Sequence, residues 1–162
     1  MKKITILAIF LISLLTLGNV YAQTVYKFNE GLSAAKSQKK LVVINICVDN
    51  DSWCKKMDAV YASDAVKNAL NSFIYIKLDA AGSEKYSYDG KSISASDLAK
   101  LFGVTGYPTH VFLNPDGSVI KFKYNGDLIG SFSGFVESQD FEKILKYFSN
   151  GQYKDTDLSK VF

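Results

Sequence analysis

The order of apolar and polar positions divides the chain into segments of two periods. Val25 to Phe28 is a short apolar segment, and Glu30 to Gln38, with Leu32, Ala34 and Ala35, reads as a short helix closed by Lys39 and Lys40. Leu41 to Val48 is nearly all apolar and largely β-branched, which predicts a central strand buried on both faces. From Ser52 the period becomes helical: Trp53, Met57, Val60 and Tyr61 recur on one face, and Ser63-Asp64 offers an N-cap for a continuation over Ala65 to Leu70. Phe73 to Leu78 predicts a second buried strand, and 79–93 a polar loop. A helix over Ser94 to Phe102 ends at Gly103, where a left-handed residue suits a helix terminus. Thr109 to Leu113 and Ser118 to Tyr124 flank Asn114-Pro115-Asp116-Gly117, a hairpin signal. Gln139 to Phe148 is amphipathic and predicts a last helix before Gly151, with an irregular tail beyond.

The amino terminus stands apart from this pattern. Lys2 and Lys3, the apolar stretch Ile4 to Leu17 and the small-residue site Val20-Tyr21-Ala22 have the form of a removable signal peptide over 1–22. The apolar stretch is shorter than the roughly 18–20 residues that span a bilayer, so no membrane association is expected after cleavage. Residues 23–162 then form one domain, with a periplasmic or secreted location.

Composition narrows the partners. All 19 cationic side chains are lysine, and removal of 1–22 takes the formal charge from +3 to +1. Without the planar guanidinium fork there is little basis for phosphate or base-edge recognition, so no nucleic acid partner is expected. Two cysteines are too few for a disulfide-built scaffold. Cys47, Cys54 and the single histidine, His110, show no recognisable ligand spacing, so no metal is expected and His110 reads as a satisfied strand histidine. No motif implies an organic cofactor.

Around Cys54 the chain reads Asn50-Asp51-Ser52-Trp53-Cys54-Lys55-Lys56-Met57, and Gly103-Val104-Thr105-Gly106-Tyr107-Pro108-Thr109 precedes the hairpin. With the order of elements, these stretches resemble the thioredoxin superfamily, and among its members the exported thiol-disulfide interchange type. The resemblance spans about 27–153 and implies an α/β thioredoxin fold, a mixed central β-sheet flanked by helices. It places Cys54 at the resolving cysteine, Asp51 at the nucleophile and Asn45 at a buried acid. Pro108 falls on the family's cis-proline, with Trp53 and Tyr107 beside it as residues that would meet an extended peptide. A second register, with Trp53-Cys54 opening the motif and Met57 at the lost second cysteine, needs three inserted residues.

Asp51 is suited to capping the following helix, and an anion there would disfavour a Cys54 thiolate. An amide at Asn45 cannot take up a proton. Cys47, two residues on, shares its strand face. It is either a buried small hydrophobe or the partner of Cys54 in a slowly exchanging disulfide. Tyr86, Tyr88 and Tyr107 suggest an aromatic patch near the site.

Two functions fit these residues. The first is a redox-silent or weakly active module that binds a peptide or client protein at the cis-proline loop. The second is an atypical thiol-disulfide oxidoreductase acting through Cys54, alone or with Cys47. Oligomeric state is left open by the sequence.

Overall fold

The computed structural model describes residues 23–162, and the signal peptide expected over 1–22 lies outside the described residues. In chain order the elements are β1 (Val25–Tyr26), α1 (Phe28–Gln38), β2 (Leu41–Cys47), α2 (Ser52–Tyr61), α3 (Asp64–Leu70) and β3 (Phe73–Asp79). There follow β4 (Lys85–Tyr88), β5 (Lys91–Ser94), α4 (Ala95–Leu101), β6 (Thr109–Leu113), β7 (Phe122–Tyr124), β8 (Asp127–Ile129), β9 (Ser131–Ser133) and α5 (Ser138–Ser149). A five-stranded mixed sheet in the order β1-β3-β2-β6-β9 forms the centre, with β2 parallel to β3 and antiparallel to β6.

Alternation along β2 sends its residues to two different cores. Val42, Ile44 and Ile46 pack with Phe28, Ala35, Leu98 and Phe102 beneath α1 and α4. Val43 packs on the opposite face with Met57, Tyr61, Leu70 and the apolar stripe of α5, Phe141, Ile144, Leu145 and Phe148. The first face is closed tightly at Gly31 of α1, where an added Cβ would stand 2.5 Å from the Ile76 side chain. Gly103 ends α4 with φ at +75°, a conformation in which a side chain would clash with its own backbone.

Three expectations are corrected. The 79–93 segment is not an open loop: Lys85–Tyr88 pairs with Lys91–Ser94 across Asp89-Gly90, and Asn29 anchors this hairpin by donating to the Ser87 carbonyl at 2.6 Å and accepting its N–H at 3.1 Å. Its strands are polar because neither enters the central sheet. The Asn-Pro-Asp-Gly turn forms, with the Asn114 N–H donating to the Ser118 carbonyl at 2.8 Å, but the returning chain makes only a single bridge, Val119 to Leu113. It then leaves to form the β7–β8 hairpin, so β9 and not Ser118 to Tyr124 takes the sheet edge beside β6. The tail is also structured. Leu158 is buried, and the Asp157 carboxylate accepts the Asn125 and Gly126 N–H groups at 3.1 and 2.8 Å, clasping the tip of β7–β8.

Candidate functional site

The site lies where the carboxyl end of β2 meets the start of α2. Cys47 ends the strand and Cys54 sits in the first turn of the helix. The two are joined by a disulfide with Cα atoms 5.8 Å apart, so the pairing left open by the sequence is present. Both cysteines are only 3% exposed. Asp51 is the N-cap of α2: its extended backbone stops the helix, and its Oδ1 accepts the Cys54 N–H at 2.8 Å. That carboxylate therefore occupies a donor which elsewhere could face a thiolate.

Below the disulfide the sheet carries a polar row. Asn45 is directly opposite Lys77 on β3 and His110 on β6, and their side chains share the face that bears Cys47. Asn45 and His110 are fully buried. The Asn45 Oδ1 lies 3.5 Å from Cys47 Sγ, and its Nδ2 has no hydrogen-bond partner among the described residues. His110 Nδ1 pairs with the Tyr61 hydroxyl at 3.2 Å, while Nε2 has no partner of good geometry among the described residues, the Gly134 backbone giving the ring weak support. His110 is thus only half satisfied, a correction to the expected satisfied histidine. Its burial holds the imidazole neutral, lowering its pKa from the ordinary 6.5 to about 3. Burial pushes the Tyr61 and Tyr75 hydroxyls upward, with the Asn45 side chain opposing the shift at Tyr75. At the mouth of this row Lys77 and Asp58 form a half-exposed ion pair at 2.7 Å.

The second wall is the loop before β6. The Tyr107–Pro108 peptide bond is cis, and the Pro108 carbonyl accepts the Gly134 N–H at 2.8 Å. Among the described residues the Tyr107 N–H and carbonyl have no backbone partner. Thr109 Oγ1 steadies the loop by donating to the Gly106 carbonyl at 2.6 Å.

Trp53 does not join Met57, Val60 and Tyr61 in the core, as its spacing suggested. It is 49% exposed, with its ring 5.6 Å from Phe135 and the Lys56 ammonium 4.1 Å from its centroid. Tyr86 and Tyr88 are not part of a patch here; they pack on Phe28 with centroids 5.3 and 5.9 Å away, and Tyr107 packs on that same side of the sheet. The aromatic surface at the site is therefore Trp53 with Phe135. Phe135 was missed because only the fold brings the segment before α5 against the start of α2; its apolar Phe-Val pair between Gly134 and Glu137 was the one available signal. No group of His, Cys, Asp and Glu able to hold a metal occurs among the described residues.

A mixed sheet flanked by helices, with a disulfide at the junction of β2 and α2 opposite a cis-proline loop, defines a thioredoxin-fold protein with a displaced cysteine pair. The chain belongs to the Thioredox_DsbH family, described as a protein of unknown function, DUF255, whose model matches residues 23–156. No curated protein matches it. Among solved structures it is similar to a thioredoxin-fold protein from Helicobacter pylori, at 18% identity and TM-score 0.59 over 82% of this chain and 92% of that one. It is also similar to a thioredoxin from Thermus thermophilus, at 20% identity and TM-score 0.56 over 78% and 88%. A protein described as DsbH oxidoreductase aligns at 17% identity and TM-score 0.53 over 78% and 83%.

Proposed function

We infer that this protein is an exported thioredoxin-fold module that holds an extended segment of a client protein against the Tyr107–Pro108 loop, and that its disulfide exchanges only slowly. The observation that carries this reading is the contrast in exposure at one site: both cysteines are 3% exposed, while Trp53 beside them is 49% exposed. A fast exchange centre needs an accessible sulfur, and the position that would supply one is Asp51, a carboxylate engaged in capping. The Tyr107 backbone groups are suited to pair with a peptide by strand addition, and Trp53 with Phe135 to cover its side chains.

A photoreactive amino acid placed at Trp53 tests the docking. Crosslinks to unfolded client peptides that disappear when a competing extended peptide is added support it; crosslinks indifferent to competition refute it. Insulin disulfides should be reduced no faster than by a small-thiol control.

A second reading is an atypical oxidoreductase. It is favoured by one fact: a disulfide joins Cys54, which the thioredoxin resemblance aligns with a resolving cysteine, to the strand that carries Asn45. Insulin turnover that both Cys47→Ser and Cys54→Ser abolish would establish it over the slow module.

A further inference from the structure

The two ends of the Cys47–Cys54 disulfide have unlike surroundings, and we propose that an incoming thiolate attacks Cys54 while Cys47 leaves as a thiolate stabilised by the Asn45 amide. This deepens the thiol-disulfide reading of the site and does not depend on peptide docking.

Both cysteines are 3% exposed, and the elements that carry them separate the sulfurs first. Cys47 is held in the sheet: it stands opposite Asp79 on β3, its carbonyl accepts the Ala80 N–H at 2.8 Å, and Ile46 before it is fully buried. Cys54 lies in the first turn of a helix, between exposed Ser52 and Trp53 on one side and exposed Lys55 and Lys56 on the other. Opening the helix's first turn uncovers Cys54 without breaking a strand ladder, and exchange depends on which sulfur is reached.

The leaving group separates them again. A disulfide sulfur carries no proton, so the 3.5 Å approach of Asn45 Oδ1 to Cys47 Sγ is not a hydrogen bond in the oxidised protein. A half turn of the amide exchanges its oxygen and nitrogen and sets an N–H donor against that sulfur. The donor can be turned there at little cost, since Asn45 Nδ2 is buried with no hydrogen bond of good geometry among the described residues, the Tyr75 hydroxyl being its competing neighbour. A carboxylate at residue 45 would instead repel the departing thiolate. At the other end the capping carboxylate of Asp51 stands over the Cys54 N–H, so charge developing on Cys54 would meet an anion. Both neighbours favour charge on Cys47.

The step balances with a small thiol as the reductant. The attacking thiolate forms a bond to Cys54 Sγ, the Cys47–Cys54 bond breaks, and its electron pair departs on Cys47 Sγ. That thiolate either returns to close the ring or takes a proton from solvent, after which its S–H donates to Asn45 Oδ1. A second thiolate attacking the small-molecule sulfur releases a symmetrical disulfide and leaves both cysteines reduced.

The test uses the full chain in its oxidised form with reduced glutathione, acid quenching, alkylation and peptide mass mapping. Glutathione on Cys54 and the alkyl group on Cys47 is the expected result; glutathione on Cys47 overturns the assignment, as does no adduct on either. That last outcome would still leave client docking to the crosslinking experiment. Asn45→Asp should slow opening at neutral pH by about tenfold or more, the size of a lost hydrogen bond to a charged group. The deficit should close as the introduced carboxyl is protonated, a pH dependence that a merely structural defect would not produce. Equal rates, or a deficit independent of pH, would defeat the role of Asn45. If Asn45→Asp does not fold, Asn45→Ala should be slow and Asn45→Ser, which keeps a donor, should recover most of the rate; equal rates for the two overturn it.

Discussion

The two faces of the central sheet are built from alternate residues of the same strands, yet only one carries buried polar side chains left partly unpartnered, since Thr109 on the other face is fully hydrogen-bonded. Beneath α1 and α4 the β2 residues are Val42, Ile44 and Ile46, met by Ile74, Ile76, Leu78, Val111 and Leu113 and closed by Phe28 and Phe102. Beneath α2 and α5 the corresponding positions begin apolar, with Val43 and Phe112, then turn to Asn45, His110 and the disulfide as the strands approach the site. Half-satisfied buried groups are expensive, and a core selected only for stability would replace them with aliphatic side chains. Their confinement to the face and end that hold the cysteines sets that region apart from the fully apolar packing beneath α1, the pattern expected where function and not stability governs residue choice.

The largest way to test this contrast is acid. His110 is neutral and buried with its pKa lowered to about 3, so the folded protein binds fewer protons than the unfolded chain at any pH below the ordinary 6.5. The stability it preserves is present above 6.5 and is lost as the pH falls toward 3, by on the order of 4 kcal/mol at the lower end. Chemical denaturation across that range should show the loss. His110→Gln, which can still accept from Tyr61, should flatten the curve there; an unchanged slope would mean that other groups govern acid sensitivity.

A pair of neighbouring substitutions on β2 separates the faces directly. Ile44→Ala should cost roughly 2–5 kcal/mol, because a fully buried side chain is removed and the closely packed face cannot collapse onto the space. Asn45→Leu, one residue away, should cost far less or stabilise, since it also removes an amide whose Nδ2 is unpartnered. Similar losses at the two positions in urea melts would abolish the distinction.

The disulfide comes next. It closes a short loop, with seven residues of sequence separation, and chain-entropy arguments give it about 2–3 kcal/mol. Cys54→Ser should lower stability by that amount in oxidising buffer, and the gap from the natural chain should narrow when reductant is present in both.

How much of this was legible depended on whether a feature is local. The buried strands β2 and β3 appear as apolar runs because both faces are covered, and Asp51 as the cap three residues before Cys54 follows from spacing alone. The hairpin of Lys85–Tyr88 and Lys91–Ser94 escaped notice because polar strands outside a core show no apolar alternation, although Asp89-Gly90 marked its turn. Ser118 to Tyr124 misled because an apolar-rich run after a strong turn looks like a full partner strand, whereas the sheet edge is taken by Ser131–Ser133 after a further excursion. The Cys47–Cys54 pairing and the approach of Phe135 to Trp53 are tertiary facts, set by how β2, α2 and the chain before α5 are stacked.

The smallest expected change in stability is at Asp51, and it probes the site face most selectively. Removing the carboxylate takes away the acceptor for the Cys54 N–H and should cost about 1 kcal/mol, the usual value of a lost N-cap. Asp51→Cys accompanies that loss with a new thiol at the start of a ten-residue helix, where free backbone N–H groups and the dipole favour a thiolate. Cys54 lies one turn inside it and becomes the partner for a bond that competes with Cys47. Under mild oxidation the variant should contain a disulfide between residues 51 and 54, leave Cys47 open to alkylation, and reduce insulin faster than the natural chain. A folded variant in which Cys54 stays joined only to Cys47, with the new thiol free, would show that the strand-to-helix disulfide is the preferred arrangement here and that position 51 no longer serves as a nucleophile's place.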